Sequence, residues 1–333
     1  MKTAMITGCA SGFGAALSAR LLDSGYRVVA TDPDLGALAP LAHHNALLLE
    51  LDVRDDAQVQ RAVDQANAWH PVDILVNNGG YAVFGTQEEV PLDIIQEMFD
   101  VNLFGPARMT RALLPTLRER SGTVVQLSSV AGRAVFPESG WYAASKYAIE
   151  ALSEALVQEC ATFGVRVRLV EPGSFDTRFL ETAIQRSPAP PADSPYTRAR
   201  ELWNRRKSAV LEAPQSPSLV VDAILHSLDR DTAFERLVVG VDSERILTLR
   251  EALGADAFSM LNIRRNGLRI SAAPPGHVLS PAQVSAIFAE PDPPFEQLEA
   301  TLIAHRLGHL DHWPDSDEGT AALALLDAMF GRD

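Results

Sequence analysis

The segment Thr7-Gly8-Cys9-Ala10-Ser11-Gly12-Phe13-Gly14 follows an apolar run, Thr3 to Thr7, and opens a helical pattern. A tight turn between a strand and a helix needs glycine, because a Cβ blocks both the turn and the close approach of backbone to a pyrophosphate. The helix behind such a turn presents free N–H groups and a partial positive charge to an anion. Asp32 ends the second apolar run, 20 residues beyond Gly12. A carboxylate there accepts hydrogen bonds from the hydroxyls of an adenosine ribose and repels a 2′-phosphate. No Lys or Arg stands in the loop or just after Asp32 to offset that repulsion. Together these residues predict a dinucleotide site that prefers NAD to NADP. The plainer reading of Asp32 is a turn cap beside Pro33.

The pattern beyond this turn fits a doubly wound α/β fold. Strand candidates are Thr3 to Thr7, Arg27 to Thr31, Ala46 to Leu51, Asp73 to Asn77, Thr123 to Leu127, Val165 to Val170 and Arg236 to Gly240. Several are unbroken Val/Ile/Leu runs, as strands buried on both faces require. Helical stretches lie between them: Ala15 to Ser24, Asp56 to Trp69, Leu92 to Leu117, Tyr142 to Thr162 and Ser218 to Leu228. The alternation predicts a Rossmann-type parallel sheet of seven strands with helices on both faces, over residues 1–250. Residues 251–333 read as a mainly helical extension punctuated by Pro274-Pro275-Gly276 and Pro291-Asp292-Pro293-Pro294. Its apolar faces require burial, so it is expected to act as a lid or an oligomer contact. The run Ser187 to Pro195 carries four prolines and is not regular helix. It is either a connection covering a ligand or a plain surface loop.

Composition narrows the partners. A formal charge of −14 over 333 residues repels phosphate backbones and anionic lipid heads, so nucleic acid and membrane surfaces are poor partners. There is no run of 18 apolar residues, and the N-terminus lacks the long apolar region of a signal peptide. The two cysteines, Cys9 and Cys160, suggest no disulfide framework and read as reduced packed side chains. The expected location is cytoplasmic.

With these motifs in order, the chain resembles the short-chain dehydrogenase/reductase superfamily, in its shorter single-domain branch, over about Met1 to Gly240. The loop has the form T-G-x-x-x-G-x-G, whereas the longer epimerase and dehydratase branch typically has T-G-x-x-G-x-x-G. Asp52 and Val53 follow the third strand at the family's adenine-contacting position. Asn77-Asn78-Gly79-Gly80 is similar to N-N-A-G, with Gly79 in place of alanine. Asn102 sits in Val101-Asn102-Leu103, like the family's active-site asparagine. Ser128-Ser129-Val130-Ala131-Gly132 follows the fifth strand, Tyr142-Ala143-Ala144-Ser145-Lys146 matches Y-x-x-x-K, and Pro172-Gly173 with Thr177 matches the nicotinamide segment. The resemblance implies cofactor contacts from Gly8, Ser11, Gly12, Phe13, Gly14, Asp32, Asp52, Val53, Asn78, Gly79, Gly80, Tyr142, Lys146, Pro172, Gly173 and Thr177.

The implied chemistry is hydride transfer between NAD(H) and a secondary alcohol or ketone, with Ser129, Tyr142, Lys146 and Asn102 as the catalytic set. Tyr142 and Lys146 are four apart on a helix and share a face. A free phenol titrates at about 10, too high for a base near neutrality, and a nearby ammonium favours the phenolate. Ser129, thirteen residues before Tyr142 as in relatives, would bond the substrate oxygen; Ser128 is the fallback. Asn102 would anchor a water linking Lys146 to solvent. Trp141, Phe136 and Phe179 are candidates for an apolar substrate wall. The family's habits imply a homodimer or homotetramer. A catalytically silent NAD-binding regulator or scaffold is the alternative function, and a nucleotide-sugar epimerase or dehydratase a third, disfavoured by the glycine pattern. In the extension, His305, His309 and His312 with Asp311 and Asp315 suggest zinc by spacing, but Gly308 weakens that helix. They read instead as the edge of an amphipathic face, so no metal is expected.

Overall fold

The computed structural model describes residues 1–201, 203–204, 215–255, 258–259 and 262. The chain divides into two compact units, Met1–Pro191 with Ala213–Ser243, and Ala192–Glu212 with Glu244–Asp333. The first holds the sheet and all the chemistry described below. The histidines of the extension and its expected helices lie outside the described residues.

Seven strands, β1 Thr3–Thr7, β2 Arg27–Asp32, β3 Ala46–Glu50, β4 Ile74–Asn77, β5 Thr123–Leu127, β6 Arg166–Pro172 and β7 Phe234–Val239, form one sheet in the order β3-β2-β1-β4-β5-β6-β7. Every pairing is parallel, as the alternation requires. The helices are α1 Gly12–Asp23, α2 Asp56–Trp69, α3 Leu92–Phe99, α4 Gly105–Glu119, α5 Gly140–Cys160, α6 Phe179–Arg186, α7 Ser218–Leu228 and α8 Val241–Leu253. α8 begins in the first unit and continues into the second. Among the described residues, no helix is long and apolar enough to cross a membrane.

Side chains alternate across each strand, so one strand feeds two cores. Ala4 and Ile6 of β1 pack with Leu17 and Leu21 of α1 and with Val220 and Ile224 of α7. Met5 faces the other way, toward Val59 and Val63 of α2 and Met109, Leu113 and Leu117 of α4. The chain winds outward in one direction through β2 and β3, then returns to β4 on the opposite side of β1. This reversal leaves a crevice above the carboxyl ends of β1 and β4, the place where open parallel sheets bind ligands.

One expectation changes. The single helix expected over Leu92 to Leu117 is two helices, α3 and α4, separated by a π-helical turn at Asp100–Phe104. There the Gly105 N–H donates to the carbonyl of Asp100, five residues back. Pro106, four residues after Asn102, has no N–H to continue the α ladder. The run Ser187 to Pro195 is not regular helix, as expected, and the connection ahead of it forms α6. It ends at Arg186 before the prolines, and Ser187 closes it by donating from Oγ to the carbonyl of Ala183 at 2.6 Å. The residue before Pro188 is pushed out of the helical region, which sets the boundary.

Candidate active site

The glycine-rich loop is built as a cradle. Gly8 has φ +72°, a left-handed conformation strained for other residues. A Cβ on Gly14 would stand 2.2 Å from the Gly8 carbonyl oxygen. Ser11 caps α1 with extended backbone and no side-chain bond, so the amides of the first turn stay open toward the loop. Asn78 clamps the loop from β4, its Nδ2 donating to the carbonyls of Thr7 at 2.8 Å and Gly8 at 3.0 Å. Thr7 Oγ1 accepts in return from the amides of Asn78 and Gly79. This geometry fits a pyrophosphate. Gly14→Ala is expected to lower the thermal midpoint by several degrees and to abolish NADH retention, read by calorimetry and by NADH fluorescence.

Of the two readings of Asp32, the structure shows the turn cap, with both carboxylate oxygens taken up by backbone amides. Its Oδ1 accepts from the Asp34 amide at 3.1 Å, which is the turn beside Pro33. Its Oδ2 accepts from the Ala10 amide at 3.0 Å and so braces the glycine loop. Asp52 is held differently. Arg54 donates to its carboxylate from Nε at 3.0 Å and Nη2 at 2.7 Å, and also reaches Glu97 at 2.8 Å. The Arg54 guanidinium holds the Asp52 carboxyl below its usual range. Arg54 was not singled out from the sequence, where its only signal is its place two residues after Asp52. Val53 packs into the space left by Gly105, whose Cβ would stand 2.6 Å from Val53 Cγ2.

The carboxyl end of β5 and the first turns of α5 bring Ser129, Tyr142 and Lys146, the residues predicted to be catalytic, together. Tyr142 and Lys146 are both buried. The Ser129 hydroxyl lies near enough to the Tyr142 phenol to lower its proton affinity, and its Oγ accepts from the Ala131 amide at 3.1 Å. Ser128 points elsewhere and donates to Glu150. The choice between the two serines therefore rests on contact as well as spacing. Lys146 Nζ donates to the Leu127 carbonyl at 2.7 Å and lies 5.8 Å from the Tyr142 ring centre. Burial pushes the Tyr142 phenol up to about 12, with the Ser129 hydroxyl opposing. Burial lowers the Lys146 ammonium to about 8, with the Glu150 charge opposing. In the protein alone, then, the phenol is held firmly protonated and needs further positive charge to release its proton.

Asn102 lies in the π turn with its side chain fully engaged. Oδ1 accepts from the Tyr81 amide at 3.0 Å, and Nδ2 donates to the Tyr81 carbonyl at 2.8 Å and to Ser145 Oγ at 3.2 Å. Any outward role falls to its backbone carbonyl, which Pro106 cannot engage. Gly80 sits against it: a Cβ there would be 3.0 Å from Asn102 Oδ1 and 3.8 Å from Lys146 Nζ.

Glu150 was not foreseen. It is one turn beyond Lys146, and it joins Ser128 to Arg236 of β7. Burial raises its carboxyl, with Ser128 and Arg236 opposing. Arg236 also donates to the wholly buried Glu171 at 2.8 Å, so the floor of the site is an ion network spanning β5, β6, β7 and α5.

The segment after β6 faces the glycine loop. Thr177 Cβ lies 3.7 Å from where a Cβ on Gly12 would stand, and Phe13 meets Phe175 edge-on at 5.5 Å. Phe179 of α6 approaches the Tyr142 ring at 5.7 Å, and Trp141 packs against the apolar cluster that holds Tyr142, Tyr81, Val83, Ile95 and Ala183. Phe136 lies in the turn that leads into α5, its carbonyl accepting from Ser139.

The family model of the short chain dehydrogenases matches residues 2–187. The fold is similar to a crystal structure of a short-chain dehydrogenase from Streptomyces avermitilis, with a TM-score of 0.67 at 35% identity over 74% of this chain and 90% of that one. It is similar to a short-chain dehydrogenase/reductase from Burkholderia phymatum in complex with NAD, with a TM-score of 0.62 at 28% identity over 71% and 88% of the two chains. It is also similar to a short-chain dehydrogenase from Burkholderia cenocepacia in complex with NADP, with a TM-score of 0.62 at 25% identity over 78% and 97%.

Proposed function

The chain belongs to the short-chain dehydrogenase/reductase family and is a nicotinamide-dependent oxidoreductase, and we propose that it moves a hydride between NAD(H) and a secondary alcohol or ketone. The observation that carries this reading is the meeting of Ser129 with the buried Tyr142 and Lys146 at the carboxyl end of β5. When bound, the nicotinamide gives or takes the hydride. The remaining work is proton handling, and it falls to the protein. Tyr142 Oη returns a proton to the substrate oxygen in reduction and accepts it in oxidation. Ser129 Oγ, beside that phenol, shares the developing negative charge. Lys146 supplies positive charge next to the ring, and the Asn102 carbonyl offers a water a route to the ammonium. The apolar surround of Tyr142, with Phe179 and Trp141, suits a substrate with an aromatic, steroid-like or acyl body.

The preference for NAD rests on Asp32. Asp32→Ala is expected to relax it, raising the ratio of NADP to NAD efficiency about tenfold or more. It also removes the acceptor of the Ala10 amide, so binding of both cofactors weakens. Asp32→Asn removes the charge and keeps one acceptor where the Ala10 and Asp34 amides use two, so it weakens the loop brace less than alanine does while removing the same charge. An unchanged ratio in both variants removes Asp32 from this role. The function itself is tested by following reduced nicotinamide by absorbance across a broad panel of alcohols and ketones with either cofactor. Cofactor binding without turnover on any of them would favour a silent regulator.

A further inference from the structure

We propose that Asp242, paired with Gln215, is a positioning residue for the nicotinamide end of the cofactor site: it latches the Pro172–Thr177 segment to the end of β7. The proposal rests on the reading of that segment as the nicotinamide contact.

Three stretches meet at this carboxylate. Asp242 Oδ2 accepts from the Ser174 amide at 2.7 Å. Its Oδ1 accepts from Gln215 Nε2 at 2.8 Å. Gln215 Oε1 accepts from the Val241 amide at 3.0 Å, so one side-chain amide is used at both ends. The chain makes room for this. A Cβ on Gly173 would stand 2.1 Å from Asp242 Oδ1, inside the carboxylate. Gly240, at φ +109°, turns the chain from β7 into α8, and a Cβ there would meet both Asp242 and Gln215 at 2.9 Å. Both glycines are thus explained by the latch.

The backbone repeats the connection. Gln215 forms an isolated bridge with Phe175, and the Asp176 amide donates to the Gln215 carbonyl at 3.0 Å. The chain therefore leaves at Phe175 and returns at Gln215, and Asp242 ties the two roots together. Just beyond, Ser243 Oγ donates to the Glu171 carbonyl at 3.0 Å and fixes the start of α8 to β6. A carboxylate accepting from two donors makes stronger, shorter bonds than a neutral acceptor, and it holds its own orientation. A segment that contacts the nicotinamide in both ground and transition states should affect binding more than the chemical step.

The test uses hydrogen-bond polarity and NADH as the probe. Asp242→Asn leaves one acceptor where two are needed, and turns an amide donor toward either Ser174 N–H or Gln215 Nε2. NADH affinity, by fluorescence titration, is expected to fall about tenfold. The double change Asp242→Asn with Gln215→Glu reverses the polarity of the pair and keeps its net charge. It is expected to restore affinity to within about threefold of the wild type. Should Asp242→Asn not fold, Gln215→Met removes the same contact from the other side and is expected to weaken NADH in the same direction. An unchanged NADH affinity in the folded single variant, or a lowered thermal midpoint with no loss of affinity, overturns the proposal, as does failure of the double change to restore binding. A wild-type protein that binds neither NADH nor NADPH removes the cofactor reading itself, and the latch proposal with it.

Discussion

Tyr142→Phe is expected to lower turnover at least about a thousandfold while NADH affinity stays within about twofold of the wild type. The substitution removes one oxygen and keeps the ring. The ring's neighbours, Phe179 at 5.7 Å and the cluster around Trp141 and Ala183, remain packed. The loss therefore falls on the proton rather than on the pocket. The hydroxyl is the group that Ser129 acts on, and a phenyl ring leaves that serine with its Ala131 contact alone. Steady-state kinetics on any substrate found in the screen, beside NADH fluorescence, separates the two effects. Near-normal turnover in this variant would overturn the mechanism.

The second large effect has two faces. Lys146→Met is expected to reduce turnover about a hundredfold or more and to stabilise the folded protein at neutral pH. The ammonium is buried, and burial draws its proton affinity from 10.5 down to about 8. An unfolded lysine binds the proton more tightly than the folded one. Below about pH 8 both states are charged, and the cost of burying the charge is fully present, roughly 3 kcal/mol. As pH rises from 8 toward 10.5 the folded state sheds its proton first, so stability rises. Tyr142 opposes this only above about 10, where an unfolded phenol ionises and the buried one, raised to about 12, does not. The clean window is thus pH 8 to 10. In the methionine variant this rise in stability should vanish. At pH 7 the gain should be about 1–2 kcal/mol, because the Leu127 carbonyl loses its donor. Denaturant midpoints at several pH values measure both. A variant that is less stable at pH 7 would show that the ammonium is better compensated than its burial implies.

Much of the fold is legible in the chain because the strands are buried on both sides. β1 and β5, Thr3–Thr7 and Thr123–Leu127, match the apolar runs end for end, since every residue in them is buried. β7 was read late, from Arg236, because it is the edge strand. Its first residues, Phe234 and Glu235, are only partly buried, and the charged Glu235 breaks the apolar run there. The π turn was hidden because apolar periodicity continues through it, and only Pro106 hints that the hydrogen-bond ladder breaks.

The site divides in the same way. Residues whose role is local, such as the glycines of the loop or Tyr142 and Lys146 one helical turn apart, carry their own signal. Residues whose role is tertiary do not. Glu150 is four residues past Lys146 and reads as a solvated glutamate until Ser128 and Arg236 close on it from β5 and β7. Asp242 looks like an ordinary acid in a first helical turn until Ser174 and Gln215 arrive from 68 and 27 residues away.

The π turn at Asp100–Phe104 also constrains how this stretch can vary in length. Such a turn accommodates one residue more than an α-helix would in the same rise. Each residue advances a helix by about 100°. Deleting a single residue inside the turn would therefore let α3 and α4 fuse with their present faces still in phase, whereas losing one within α4 with the turn kept would rotate everything beyond it by that angle. Met109, Leu113 and Leu117 would then swing off the sheet they now cover. The turn is thus the one place where the stretch from Leu92 to Glu119 has a residue to spare.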